Sequence, residues 1–129
     1  VLYSKYIKDA AWVLKEIDIM ILEKRQKQVN KIREYIMKNS RVFDKLVIFG
    51  EATDDDYPEE AEKDVYLDVA VKTVRDEDAT DDDILFELIS EIDEVTGGRF
   101  HLIMMNDTNV TSNVLHNIEK GVVVYDATV

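Results

Sequence analysis

Two runs of strand-forming residues, separated by a polar loop, restrict the fold of this chain more than any other feature. Residues 45–49 (Lys-Leu-Val-Ile-Phe) are short and apolar, which is typical of a buried strand. Over residues 64–74 apolar and polar side chains alternate, which predicts a strand with one buried face. The stretch 51–63 between them is rich in acids and holds the only proline. These runs predict two strands of a sheet joined by a polar loop.

Helical periodicity is found on both sides of these strands. Residues 4–39 carry apolar side chains at helical spacing, as one long helix or as two joined near residues 23–28. A helix is predicted over 80–95, where early acids complement the positive end of its dipole. The remaining predicted elements are a strand over 99–105, a helix over 110–119 and a strand over 122–125. This order predicts a single α/β or α+β domain with one mixed β-sheet flanked by helices.

Composition excludes several classes of function. The chain has 129 residues and a formal net charge of −12, which argues against a nucleic-acid binder because phosphate binding depends on dense Lys and Arg. Cysteine is absent, which excludes disulfides, thiolate metal sites and cysteine nucleophiles. We recognise neither a secretory signal nor an apolar run long enough to span a membrane. We therefore expect a cytoplasmic protein.

Charge is unevenly distributed along the chain. Residues 24–45 hold eight Lys and Arg against two acids, a net of +6, whereas residues 51–94 hold nineteen acids against three bases, a net of −16. Such asymmetry can steer a charged partner. The alternative is that the basic run is only the solvated face of a helix.

Several short motifs, in order, resemble one enzyme family. An apolar strand ends in Phe49-Gly50, residues 63–67 read Lys-Asp-Val-Tyr-Leu, and residues 100–106 read Phe-His-Leu-Ile-Met-Met-Asn. Residues 114–126 then combine a helix with a closing strand. Together they resemble the minimal nucleotidyltransferases of the DNA polymerase β superfamily over residues 25–126. The resemblance implies a nucleotidyltransferase-like domain over 24–129, preceded by an added N-terminal helical extension over 1–23.

The resemblance also implies where the active site would lie. Family members place Gly-Ser at the end of the first strand to bind the triphosphate, two aspartates on the next strand and a third acid on a later strand. Three carboxylates of this kind hold divalent ions. In this sequence Gly50 is kept and Glu51 replaces the serine, while Asp64, Tyr66 and His101 occupy the three acid positions. Only Asp64 could still act as a metal ligand.

Neither of two alignments restores the three acids. Asp68 shares a predicted strand face with Asp64, but four residues along a strand span about 13 Å, too far for one Mg²⁺ to bridge. If Asp68 is instead taken as the second acid, Tyr66 falls in the first position and His101 still in the third. An isolated histidine such as His101 is more often a packed or hydrogen-bonded residue than a metal ligand.

We therefore expect a catalytically degenerate domain with an interaction or regulatory role and no cofactor. The family's frequent pairing with small helical HEPN toxins implies an antitoxin-like function, by analogy alone. Two alternatives stay open: an active nucleotidyltransferase with a divergent metal site, which would need Mg²⁺, and a noncatalytic nucleotide-binding sensor.

The apolar pattern of the N-terminal extension predicts that the chain binds another protein chain. Between residues 17 and 22 apolar side chains cover most of the helix circumference, and one sheet face can bury only one stripe of them. We expect either a homodimer or a complex with a helical, HEPN-like partner, with its interface on residues 1–23.

Overall fold

A computed structural model describes residues 23–53, 66–74, 82–107 and 109–128. The elements follow the predicted order, and the predicted α+β class is confirmed. The predicted extension 1–23 lies outside the described residues, except for Glu23. The elements are α1 (Glu23–Lys38), β1 (Phe43–Phe49), a 3₁₀ turn (Gly50–Thr53), β2 (Leu67–Thr73), α2 (Asp82–Thr96), β3 (Phe100–Met104), α3 (Ser112–Glu119) and β4 (Val122–Asp126).

The four described strands form one mixed sheet in the order β3-β2-β1-β4. Strand β1 runs antiparallel to both β2 and β4, whereas β2 and β3 are parallel. A parallel pair needs a crossover connection, and α2 lies between β2 and β3 in the chain. Within the described part of the chain, no helix is long and apolar enough to cross a bilayer.

Helices α1 and α2 cover one face of the sheet and enclose the main core. The predicted stripe of α1 is confirmed, since Val29, Ile32 and Ile36 are at most 1% exposed. Every second residue of β2 faces this core, as the alternating pattern predicts. Across the core, the hydroxyl of Tyr35 on α1 donates to the carbonyl of Ile84 on α2, with 3.0 Å between the oxygens. The other buried residues of this core include Leu67, Val69, Val71, Ile84, Leu88 and Ile92.

A smaller apolar cluster lies on the opposite face of the sheet, where Val47, Phe49 and Ala70 pack with Ile118 of α3. The alternation placed Ala70 among polar residues, but it is fully buried because α3 lies over this part of β2. Close packing continues at Gly121, where a Cβ atom would lie 2.6 Å from the carbonyl oxygen of Ile48. The second face is thus covered as well, but over a smaller area.

Strand β2 is shorter than the alternation suggests. The structure begins it at Leu67, with Tyr66 just before it, whereas the sequence predicts a strand from Asp64. Asp64 lies outside the described residues, so its placement stays a prediction. At the other end of β2, the side-chain amide of Asn106 pairs with both backbone groups of Thr73, at 2.9 and 3.2 Å. This amide ties the chain after β3 to the end of β2.

Candidate functional site

A glycine turn at the end of β1 forms one side of the candidate site. Gly50 has φ +72°, a left-handed conformation that favours glycine, and it opens the 3₁₀ turn. The turn is closed by Thr53, whose hydroxyl donates to the carbonyl of Gly50 at 2.8 Å. A Cβ atom at position 50 would collide with the carboxylate of Asp68. The glycine therefore allows Asp68 to lie directly against the turn.

Asp68 stands at the centre of the site. It is paired with Phe49 of β1 on one side and with His101 of β3 on the other. One carboxylate oxygen of Asp68 lies 2.8 Å from Nδ1 of His101. Because a carboxylate can only accept, Nδ1 of His101 is the donor in this hydrogen bond. The side chain of Asp68 is 22% exposed and that of His101 is 63% exposed.

Tyr66 completes the group by stacking on His101. The two ring centroids are 4.8 Å apart and the ring planes differ by 17°. Tyr66 remains 43% exposed, so the stacked pair borders solvent. The three side chains form a line in which the phenol covers the imidazole and the imidazole donates to the carboxylate. We call Tyr66, Asp68 and His101 the strand-end cluster.

The structure brings most of the predicted site residues together. Gly50 and His101 adjoin Asp68, and Tyr66 stacks on His101. Tyr66, Asp68 and His101 are the three positions of the alignment that takes Asp68 as the second acid. Asp64, the predicted residual metal ligand, lies outside the described residues. The backbone of Glu51 follows Gly50 in the turn, as the sequence order requires.

Sequence reasoning missed the two contacts that hold the cluster together. The hydrogen bond joins residues 33 positions apart, and no local pattern indicates it. The only usable signal was the alternation, which places Asp68 on the β2 face where Tyr66 also falls. The hydrogen-bond partner of Asp68 follows only from the register of β2 against β3.

The cluster does not fit the ions that the resemblance implies. Mg²⁺ prefers oxygen ligands in an octahedral arrangement and is held in proteins mainly by carboxylates. The cluster offers one carboxylate, an imidazole already hydrogen-bonded to it, and a phenol. Among the described residues, no three His, Asp or Glu side chains form a group able to hold a metal ion. The group is better suited to hydrogen bonding and stacking than to metal coordination.

Comparisons with known proteins identify a fold but no family. No protein-family model matches the chain, and no curated protein matches it either. A solved structure does match: the MNT antitoxin, a minimal nucleotidyltransferase, in its complex with a tri-AMPylated HEPN toxin from Shewanella oneidensis. The match has a TM-score of 0.53 and 14% identity, and it covers 81% of this chain and 74% of the matched chain.

At this identity the similarity concerns the fold alone. This chain has an α+β arrangement with a four-stranded mixed sheet flanked by helices. This agrees with the fold that the family resemblance of the short sequence motifs implies. The chain has a nucleotidyltransferase-like fold.

Proposed function

We propose that this protein is a noncatalytic nucleotidyltransferase-like domain that acts by binding another protein, in the manner of an antitoxin. The observation that carries the proposal is the strand-end cluster, in which Asp68 is hydrogen-bonded to His101 and His101 is stacked on Tyr66. In the alignment that takes Asp68 as the second acid, we propose that these three residues occupy the positions of the fold's metal-binding carboxylates. Two of the three positions hold aromatic rings, which cannot supply the charge that Mg²⁺ requires.

The turn after β1 supports the same proposal. Nucleotide binding in this fold would place a triphosphate against the residues that follow Gly50, and the first of them is Glu51. A carboxylate about 4 Å from a phosphate oxygen costs on the order of 4 kcal/mol at an effective dielectric of about 20. That corresponds to about three decades in affinity. The phosphate position and the metal positions are thus altered independently.

The proposed partner is a protein. The structurally similar MNT antitoxin is held in a complex with a HEPN toxin, and we propose a helical partner of that kind for this chain. A homodimer is the other assembly consistent with the apolar segment of residues 17–22. In both cases we propose that residues 1–23 contribute to the contact.

We expect no nucleotidyl transfer with either Mg²⁺ or Mn²⁺. The full chain would be incubated with each labelled nucleoside triphosphate, first alone and then with candidate acceptor proteins, and transferred label measured after gel separation. Variants Asp64→Ala and Asp68→Asn are the matched controls, because each removes one carboxylate. Transfer by the parent that either variant abolishes would contradict the proposal and favour an active enzyme with a divergent metal site.

Calorimetry with ATP or GTP and Mg²⁺ distinguishes the remaining alternative, a nucleotide sensor without catalysis. We expect no binding heat, because the carboxylate of Glu51 would repel the phosphates and the site lacks the carboxylates needed to hold Mg²⁺. Saturable binding without release of pyrophosphate would instead favour the sensor. Replacement of Glu51 by Ser, the residue typical of the family, provides the control variant.

A further inference from the structure

An open apolar groove runs along the outer side of α2, above β3. It has a volume of about 520 Å³. Strand β3 lies at one edge of the described sheet, so its outer side has no neighbouring strand among the described residues. Besides the buried Leu88, the apolar side chains lining the groove are Leu85, Phe86, Ile89, Phe100, Leu102 and Met104. We call this surface the α2–β3 groove.

Two large side chains on α2 are left unburied beside this groove. Phe86 is 69% exposed and Ile89 is 40% exposed, although Leu88 and Ile92 of the same helix are fully buried. Single exposed apolar residues are normal on a protein surface, but here they adjoin a continuous apolar floor. Contiguous exposed apolar surfaces are often found at interaction sites.

The dimensions of the groove suit a short helix. Phe86 and Ile89 are three residues apart and lie on one side of α2, forming a ridge against which a second helix can pack. The floor follows β3 from Phe100 to Met104, which is about 13 Å of strand. Two to three helical turns span about 11–16 Å. A helix lying beside α2 would therefore cover the floor along its whole length.

The charge beside the groove indicates the chemistry of its occupant. Helix α2 carries six acids and no Lys or Arg over its full length. Two of them lie on the side of the ridge: Asp82 lines the groove one turn before Phe86, and the exposed Asp93 follows Ile89 by one turn. An occupant bearing acids would be repelled, whereas one bearing Lys or Arg beside its apolar face would be attracted.

We propose that the α2–β3 groove binds an amphipathic helix of a protein partner, with its apolar side chains on Phe86 and Ile89 and with Lys or Arg facing Asp82 and Asp93. This proposal rests on the proposed function, since it assigns a surface to the partner. It deepens that function by stating the chemistry of the partner segment, which is both apolar and basic.

The test uses three synthetic peptides and the 129-residue chain. The first peptide is an amphipathic helix of leucine and lysine, the second has glutamate in place of lysine, and the third has the first peptide's composition in an order without an apolar face. Binding is measured by fluorescence anisotropy of the labelled peptides. We expect only the first peptide to bind, and its binding to weaken as salt rises from about 50 to about 300 mM.

The deciding variant is the double substitution Phe86→Ser/Ile89→Ser. Both side chains are exposed, so the fold should be retained, and we expect the first peptide to bind at least about tenfold more weakly. The matched control is Val123→Ser on β4, which replaces a 43% exposed apolar residue outside the groove. It should bind the peptide like the parent. Equal binding of all three peptides, or unchanged binding by the double variant, would overturn the proposal.

The chain's own N-terminal segment is the competing occupant, and Trp12 reports on it. Trp12 is the only tryptophan, and it lies outside the described residues. If the double variant shifts the emission of Trp12 and lowers Tm while the parent binds no peptide, the segment occupies the groove and the proposal fails.

The peptide assay does not depend on the transfer assay. Failure of the groove therefore leaves the noncatalytic function standing, and observed transfer leaves the groove standing.

Discussion

Replacement of Phe43 by alanine is expected to lower the free energy of unfolding by about 3–5 kcal/mol. Phe43 is fully buried at the start of β1, in the core between the sheet and the two larger helices. Its ring meets that of Tyr35 edge to face, with centroids 6.5 Å apart. Truncation would remove this aromatic pair and leave a cavity that the surrounding side chains can fill only in part.

Chemical denaturation followed by far-ultraviolet circular dichroism measures this loss. The control is Phe86→Ala, the same substitution at a residue that is 69% exposed on α2. We expect that variant to stay within about 0.5 kcal/mol of the parent. Equal losses at both positions would contradict the core assignment, and so would a loss below about 1 kcal/mol at Phe43.

Periodicity predicted the fold well where burial is one-sided. The apolar positions of α1 and α2 recur every three or four residues, and the inner residue of each repeat, such as Ile32 or Leu88, is fully buried. The same stripe on α2 also includes Ile89, which is 40% exposed. The width of an apolar stripe can be read from the sequence, but the position of the sheet decides how much of the stripe is buried. On α2 the stripe is wider than the surface that the sheet covers, and the uncovered part lines the α2–β3 groove.

The candidate site was less predictable, because it depends on register between strands. Alternation assigns each residue of β2 to a face, but it cannot tell which residue of β3 lies opposite Asp68. That pairing depends on how α2, which connects β2 to β3 along the chain, packs on the sheet, and this is a property of the whole domain. Burial of Ala70 was missed for a similar reason, since only the packing of Ile118 over β2 reveals it.

The double substitution Tyr66→Asp/His101→Asp is expected to create a Mg²⁺ site that the parent does not have. Position 101 is paired with Asp68, and position 66 is close enough to stack on position 101. Two added carboxylates would place three around one point, which is the ligand type and charge that Mg²⁺ prefers. Without the ion these carboxylates should repel one another and lower Tm, because the hydrogen bond between His101 and Asp68 is lost as well.

Thermal unfolding at increasing Mg²⁺ concentration tests this expectation. An ion that binds only the folded state stabilises it by about 2.7 kcal/mol at one hundred times its dissociation constant. We expect Tm of the double aspartate variant to rise steeply with Mg²⁺ and that of the parent to stay constant. The control Tyr66→Asn/His101→Asn loses the same stacking and the same hydrogen bond from His101 but gains no charge, so it should not respond.

A response by the parent would mean that Asp68, alone or with Asp64, still binds the ion. The absence of a response in the aspartate variant would mean that the strand-end cluster does not occupy the metal position of the fold, and Glu51 alone would then oppose nucleotidyl transfer.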